Sequence, residues 1–379
     1  MTLQKPKIAF ALLGDISINS RALRQIHALA KHFHVIAFGF STRKPQRQSA
    51  DFGTLVHLEQ PPIRGPRFFF AAHRQLTREY QNLDASLFHA SDLYTLLASR
   101  KAAMSRAVPL TYDARELYAE VDSVRDKPLK QAFWRKIESI AIADCAHVFT
   151  VSESISTHIA KLHGVKSPTV IWNAPDLESQ KPGNLDLKNI VQPLDGPIIL
   201  HNGQIRRGRG CLNLVRAFKH TNNAALVFMG SGPLKTDAQQ IARETKCADR
   251  VFFVDPVPPD QVVSATSTAN IGVTLLENTC LNHALALPNK LFEYCAAGIP
   301  VLGSNLPEIS RMIQTHEIGA TVDPENIEDI GKKLLDLENA PDQLKHWSSR
   351  TAAFTETFGW KRASQAFLEP FLRLLKAGV

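Results

Sequence analysis

No stretch of the chain approaches the ~20 consecutive apolar residues that a membrane-crossing helix needs, although apolar side chains make up 44% of its 379 residues. A helical integral membrane protein is thereby excluded, and material for ordinary buried cores remains. The apolar run from Ile8 to Leu13 is short for a signal-peptide core and no small-residue cleavage site follows it, so a buried first strand is expected there. Cysteine is scarce and scattered: Cys145, Cys211, Cys247, Cys280 and Cys295 form an odd set with no CxxC. Neither a disulfide framework nor a zinc site is supported, and reduced packing residues of a cytoplasmic protein are expected. There is no internal repeat and no low-complexity tract. The chain has no GxGxxG opening a helix and no GxxxxGK[ST], so the dinucleotide and P-loop readings fail. No DxD-like carboxylate pair is present to hold Mg²⁺.

What is present is alternation. Short apolar runs such as KIAFALL (7–13), HVIAFGF (34–40), ASLFH (85–89) and HVFTV (147–151) are separated by stretches of helical length, among them 21–33 and 93–106. The pattern restarts with PIILHN (197–202), ALVFM (225–229), RVFFV (250–254), NIGVTLL (270–276), IPVLG (299–303) and GATV (319–322), with helices expected over 326–338 and 361–376. Strands alternating with helices through short loops predict parallel sheets covered on both faces, an α/β fold. The polar, Pro- and Gly-containing segment 176–196 reads as the connector. The expected organisation is therefore a first domain over 1–178, a linker over 179–196, a second domain over 197–358, and a C-terminal helix in 359–379 that packs back on the first domain.

Charge is unevenly placed. The net +8 falls wholly within residues 1–185, which hold 24 Lys and Arg against 16 Asp and Glu; the remainder balances at 20 and 20. A basic half implies an anionic partner. The segment RGPRFFFAAHRQLTREY (64–80) mixes Arg64, Arg67, Arg74 and Arg78 with Phe68, Phe69 and Phe70. As a helix it would place Arg74 and Arg78 on one face, an arrangement suited to the headgroup layer of an anionic membrane.

Ligands of open parallel sheets bind beyond the carboxyl ends of the strands. The residues expected there are Gly14, Asp15, Ser91, Asp92, Asp113, Asn173, Gly203, Gly230, Asp255 and Glu277, each of which is equally able to cap the next helix or make its turn. HNGQIRRGRG (201–210) reads as a strand, a loop of glycines and arginines, and a helix start near Cys211, which suits a phosphate. MGSGP (229–233) is a tight turn after a strand. LPNKLFEYCAAGIPVLGS (287–304) opens a helix with Pro288 and Asn289, places the cation Lys290 in its first turn, and puts Glu293 three residues on along the same face. A carboxylate beside an anion-binding helix start is well placed to take both hydroxyls of a ribose.

In this order and spacing the three segments resemble the nucleotide-sugar domain of GT-B glycosyltransferases, in particular the large retaining family four. LFHASDLYTLLA (87–98), LTYDARELYAE (110–120), ADCAHVFTVSESISTHI (143–159) and VIWNAPD (170–176) look like the acceptor domain of a branch of that family. The resemblance implies two Rossmann-like parallel-sheet domains facing across a cleft. Arg209, with Arg206 nearby, would meet the donor diphosphate. Gly230 and Gly232 would form the glycine turn of the donor pocket, Asp255 would lie where the base is met by backbone, and Glu293 would match the ribose-holding second Glu of the E-x7-E pattern. The position of that pattern's first Glu falls at Leu285, so that donor-sugar contact is either missing or supplied by Asn282, His283 or Glu277, and Gln204 stands where an arginine is usual, with Arg206 or Arg207 to compensate. On the acceptor side, Gly14, Asp15, Ser91 and Asn173 are the candidate contacts, and His89, Asp92, Asp113 and Glu116 the candidate catalytic residues. The family match further implies transfer from a UDP- or GDP-linked sugar to a glycan, lipid-linked or small-molecule acceptor, with retention, no cofactor and no metal. Location would be the cytoplasm, peripheral to the inner membrane face, with no nucleic-acid partner. A non-catalytic nucleotide-sugar-binding protein, or a sugar-nucleotide epimerase or phosphorylase of the same architecture, would share the donor pocket.

Overall fold

The computed structural model describes residues 5–376, and the chain divides into two compact units. The first runs to Ile171 and takes in the segment from Ala363 onward; the second is Trp172–Arg362. Among the described residues no helix is long and apolar enough to cross a membrane.

The first unit carries β1 (Lys7–Leu12), β2 (His34–Ser41), β3 (Gln46–Ala50), β4 (Gly53–Glu59), β5 (Leu87–Ala90), β6 (Leu110–Ala114), β7 (His147–Thr150) and β8 (Thr169–Val170). They lie in the order β3-β4-β2-β1-β5-β6-β7-β8, parallel except for the pair β3–β4. The parallel strands are apolar runs because helices cover both faces, as in β1, where Ile8 to Phe10 are wholly buried. The edge strand β3 is QRQSA and almost entirely exposed. It has no apolar alternation, and the sequence reading missed it. Strand order reverses between β1 and β5, so their carboxyl ends, at Gly14-Asp15 and Ser91-Asp92, flank the switch point.

The C-terminal helix Trp360–Lys376 finishes this unit. Phe367 and Phe371 are fully buried, and their rings lie 5.0 and 5.8 Å from Phe149. Helix Pro66–Tyr80 buries Ala72, Leu76 and Tyr80 and leaves all of its arginines exposed. The phenylalanine triplet divides: Phe69 stacks on Tyr94 at 4.9 Å and meets Trp134 edge-on, whereas Phe70 is 68% exposed.

The second unit carries β9 (Ile198–Asn202), β10 (Ala225–Met229), β11 (Val251–Val254), β12 (Ile271–Thr274), β13 (Val301–Ser304) and β14 (Gly319–Val322), all parallel, in the order β11-β10-β9-β12-β13-β14. This is the doubly wound order of a nucleotide-binding sheet, with its switch point between β9 and β12. The expected connector 179–196 is not a free tether. Leu187 and Val191 are buried in this unit's core, the Gly183 N–H donates to Ser264, and the Lys181 N–H donates to the Asp260 carbonyl. The units therefore part earlier than read, between Ile171 and Trp172.

Candidate functional site

At the switch point of the second unit two loops lie back to back. The Gly203 N–H donates to the Met229 carbonyl at 2.8 Å, and the Ile205 N–H to the Ser231 carbonyl at 3.0 Å. A Cβ on Gly230 would stand 2.0 Å from the Gly203 oxygen, and one on Gly232 would stand 2.2 Å from the Ile205 oxygen. Only glycine fits either position, so the turn read from MGSGP exists to let these backbones touch.

Helix Asn289–Ala296 projects its side chains into the same region. Tyr294 is wholly buried; its hydroxyl accepts the Asn202 N–H and lies 3.1 and 3.0 Å from the Leu200 and Val273 carbonyls, to which it donates. The ring occupies space that a side chain at Gly272 would fill, since a Cβ there would come within 2.2 Å of it. This anchor fixes the helix against β9. Glu293, half-buried, accepts from Asn202 Nδ2 at 2.8 Å. Lys290 turns toward β9 and donates to Nε2 of the buried His201 at 3.1 Å. Burial and then the Lys290 charge hold His201 well below its ordinary pKa, so it is a neutral acceptor. Burial, with repulsion from Arg209, brings Lys290 down to about 7. The second unit thus concentrates Lys290 and Arg209 at a helix start, beside one carboxylate, with Arg206 exposed on the same loop. Such a place suits a polyanion.

Glu277, one of the residues offered for donor-sugar contact, faces the arginine loop. Its carboxylate accepts the N–H groups of Gly208 and Gly210 at 3.1 and 3.2 Å and so shapes the arginine loop. His283 bonds Thr279 at 2.9 Å, Asn282 is buried, and Leu285 is half-buried. Asp255 is exposed after β11. Asn173, read as an acceptor-side residue, lies in the second unit and donates to Asn289.

The first unit corrects several readings. His89 is wholly buried among Phe10, Phe149, Phe367 and Phe371, with Nδ1 on Thr111 at 2.9 Å. Burial lowers it to about 3, and it packs the core instead of facing a ligand. Asp92 is the N-cap of helix Leu93–Arg106, accepting from Thr95 N and Oγ1, and it ties the Leu13 N–H across the switch point at 2.6 Å. Asp113 is wholly buried and takes both forks of Arg21 at 2.9 Å, with Gln25 at 2.7 Å. Although burial alone would raise it, Arg21 and Arg115 hold it well below the usual carboxylate range. These two carboxylates are framework, as the cap alternative allowed. Glu116 is exposed after β6, and Asp15 caps the turn Ile16–Ile18 through Ser17. Gly14 turns the chain at the end of β1, its carbonyl accepting the Phe40 N–H. Ser91 is wholly buried at the end of β5, and its hydroxyl has no hydrogen-bond partner among the described residues.

The sequence reading missed His201, Asn202 and Tyr294. The available signal was Gly272 inside an otherwise apolar strand, which marks a close approach.

Two doubly wound α/β units, the second with a basic glycine-rich switch point, define the GT-B fold class. Residues 18–179 match the family Glycosyltransferase Family 4, and residues 185–354 match Glycosyl transferases group 1. Between them the two glycosyltransferase domain matches take in most of the chain, whose fold is of the GT-B class. A Bacillus subtilis glycosyltransferase named for teichuronic acid biosynthesis is 26% identical over 217 residues, 53% of this chain and 51% of the relative. The match thus spans about half of that relative's length. A sucrose-phosphate synthase from Thermosynechococcus elongatus superposes with TM-score 0.83 at 16% identity, over 98% of this chain and all of that one. The Anabaena protein HepE, solved with UDP and glucose, superposes with TM-score 0.73 at 13% identity, over 97% of this chain and 99% of that one.

Proposed function

We propose that this chain transfers a sugar from a UDP- or GDP-linked donor to a glycan, lipid-linked or small-molecule acceptor, with retention of configuration and without a metal. The observation that carries the reading is the placement of Lys290, Arg209 and a helix start around one face of the second unit's switch point, with Glu293 beside them. In such a transfer the anomeric C–O bond breaks and negative charge grows on the leaving diphosphate. Fixed cations and a helix start stabilise that charge where a metal would otherwise be needed. Glu293, already hydrogen-bonded to Asn202, is positioned for ribose hydroxyls. The structures of similar proteins with UDP-sugar ligands support a uridine nucleotide as the first donor to test.

The test is a screen of UDP-, GDP- and ADP-sugars for thermal stabilisation, followed by product analysis in excess EDTA. A ligand at 100 times its Kd adds about 2.7 kcal/mol of stability. Turnover that vanishes with chelator and returns with Mg²⁺ would count against the metal-independent route. Glu293→Gln should weaken donor use yet retain the thermal transition; a collapsed fold would make Glu293 structural.

Nucleotide binding should also depend on pH with a defined sign. Burial holds Lys290 near 7, with Cys211, Arg209 and Glu293 also acting on it, and its ammonium donates to neutral His201. A diphosphate stabilises its charged form, so binding takes up a proton, and affinity falls as pH rises above about 7. Titration between about pH 7 and 8.5 stays above the range in which phosphate itself protonates. Calorimetry in buffers of different ionisation enthalpy measures the proton. Zero uptake, with a flat affinity, would contradict the role given to Lys290.

A further inference from the structure

The strongest exposed apolar surface of the first unit is not the arginine-rich helix alone. Helix Pro128–Ile142 turns Trp134 inward against Phe69 and Tyr94, at 4.9 and 5.1 Å, and buries Glu138 on Tyr112. Its outer face is left with Leu129, Phe133 and Ile140, which are 87%, 47% and 44% exposed. With Lys136 they fall at i, i+4, i+7 and i+11, one narrow stripe of an α-helix. Lys130 flanks the stripe, and Glu138, the helix's one acid, is buried, so every exposed charge on the helix is positive. Through the Phe69–Trp134 contact this helix adjoins Pro66–Tyr80, where Phe70 is 68% exposed beside Arg67 and Arg74.

Exposed large apolar side chains grouped in this way mark an interaction surface. We propose that the Leu129–Phe133–Ile140 stripe, with Phe70, is a docking face for an anionic lipid bilayer. The occupant follows from charge complementarity. Lys136 stands in the stripe between Phe133 and Ile140 and Lys130 flanks it, within a half of the chain that carries the whole net +8, which is the pattern of helices lying in the headgroup layer. The anchoring of Trp134 and Glu138 keeps the face preformed, so little ordering is required on binding. The inference deepens the proposed lipid-linked acceptor by naming the surface that would bring the enzyme to it.

The experiment is co-sedimentation of the full chain with vesicles of about 30% phosphatidylglycerol in phosphatidylcholine, against pure phosphatidylcholine, at low and high salt, where each basic residue at the surface adds about fivefold in partitioning. The wild type should prefer the anionic vesicles and lose that preference in salt. Leu129→Ser/Phe133→Ser should lower partitioning more than tenfold, and Lys130→Glu/Lys136→Glu should abolish the preference for anionic lipid. Both pairs are exposed, so their thermal transitions should match the wild type; Phe70→Ser alone, expected to weaken partitioning, provides a second reading of the same face. Equal binding to both vesicle types, or full binding by the serine variant, would overturn the proposal. Binding of UDP-, GDP- and ADP-sugars, measured on the same samples, separates the readings: binding one of them but not vesicles ends the docking proposal, and binding vesicles but none of the three ends the transferase reading.

Discussion

Asp113→Asn should lower the unfolding free energy by about 3–5 kcal/mol, the cost of breaking a buried ion pair from one side. Asp113 is wholly buried, and the Arg21 and Arg115 side chains around it are only 5% and 12% exposed. The amide keeps the shape but leaves Arg21 with a buried charge and no counter-charge of comparable geometry. Urea unfolding of the two proteins at neutral pH measures the difference. The pH dependence has a fixed sign. The carboxylate is depressed in the folded protein, so its contribution is complete above the ordinary aspartate value near 4 and fades only as pH falls below it, toward the depressed one. The Asn variant should lack that acid limb. Unchanged stability with lost transfer would instead make Asp113 a reacting group.

The second large effect should fall on the donor. Arg209→Ala and Lys290→Met should each weaken nucleoside diphosphate binding by about 1.5–3 kcal/mol, roughly 10- to 150-fold, as expected for hydrogen bonds to a charged group. Combined, their effects should not add, because the two cations act on one another across the same site. Lys290→Met should also remove the dependence on pH above 7, whereas Arg209→Ala should keep it. Titration calorimetry on the three variants reads both quantities. An unchanged Kd in Lys290→Met would place the diphosphate elsewhere.

The parallel strands were legible because helices cover both faces of these sheets, so runs such as ALVFM are apolar throughout and sharply bounded. The edge strand QRQSA was not, because nothing buries it. Helix Pro341–Phe358 escaped notice for a similar reason: it buries only Thr351 and Phe354, too sparse a stripe to show a period. Lys290 and Glu293 stood out because three residues on a helix is a visible spacing. Their partners His201 and Asn202 did not, since those contacts cross some ninety positions of chain. Polar residues after strands were the hardest to assign. Asp92 and Asp113 carry the same sequence signature as a reacting carboxylate, and only the third dimension shows one capping a helix and the other enclosed by arginines.

The closure of the first unit by Phe367 and Phe371 has a consequence for how the protein is made. The aromatic layer over β5 and β7 waits for side chains synthesised about two hundred residues after Phe149. At about 5–20 residues per second, that is a delay of roughly 10–40 s. Through it, the basic half of the molecule stands on the ribosome with His89 and Phe149 uncovered, while the second unit emerges and has every residue of its own sheet in hand. The second unit's sheet, though later in the chain, has its last strand synthesised by Val322, some 45 residues before Phe367, and the exposed aromatic layer of its neighbour is where chaperones would find something to hold.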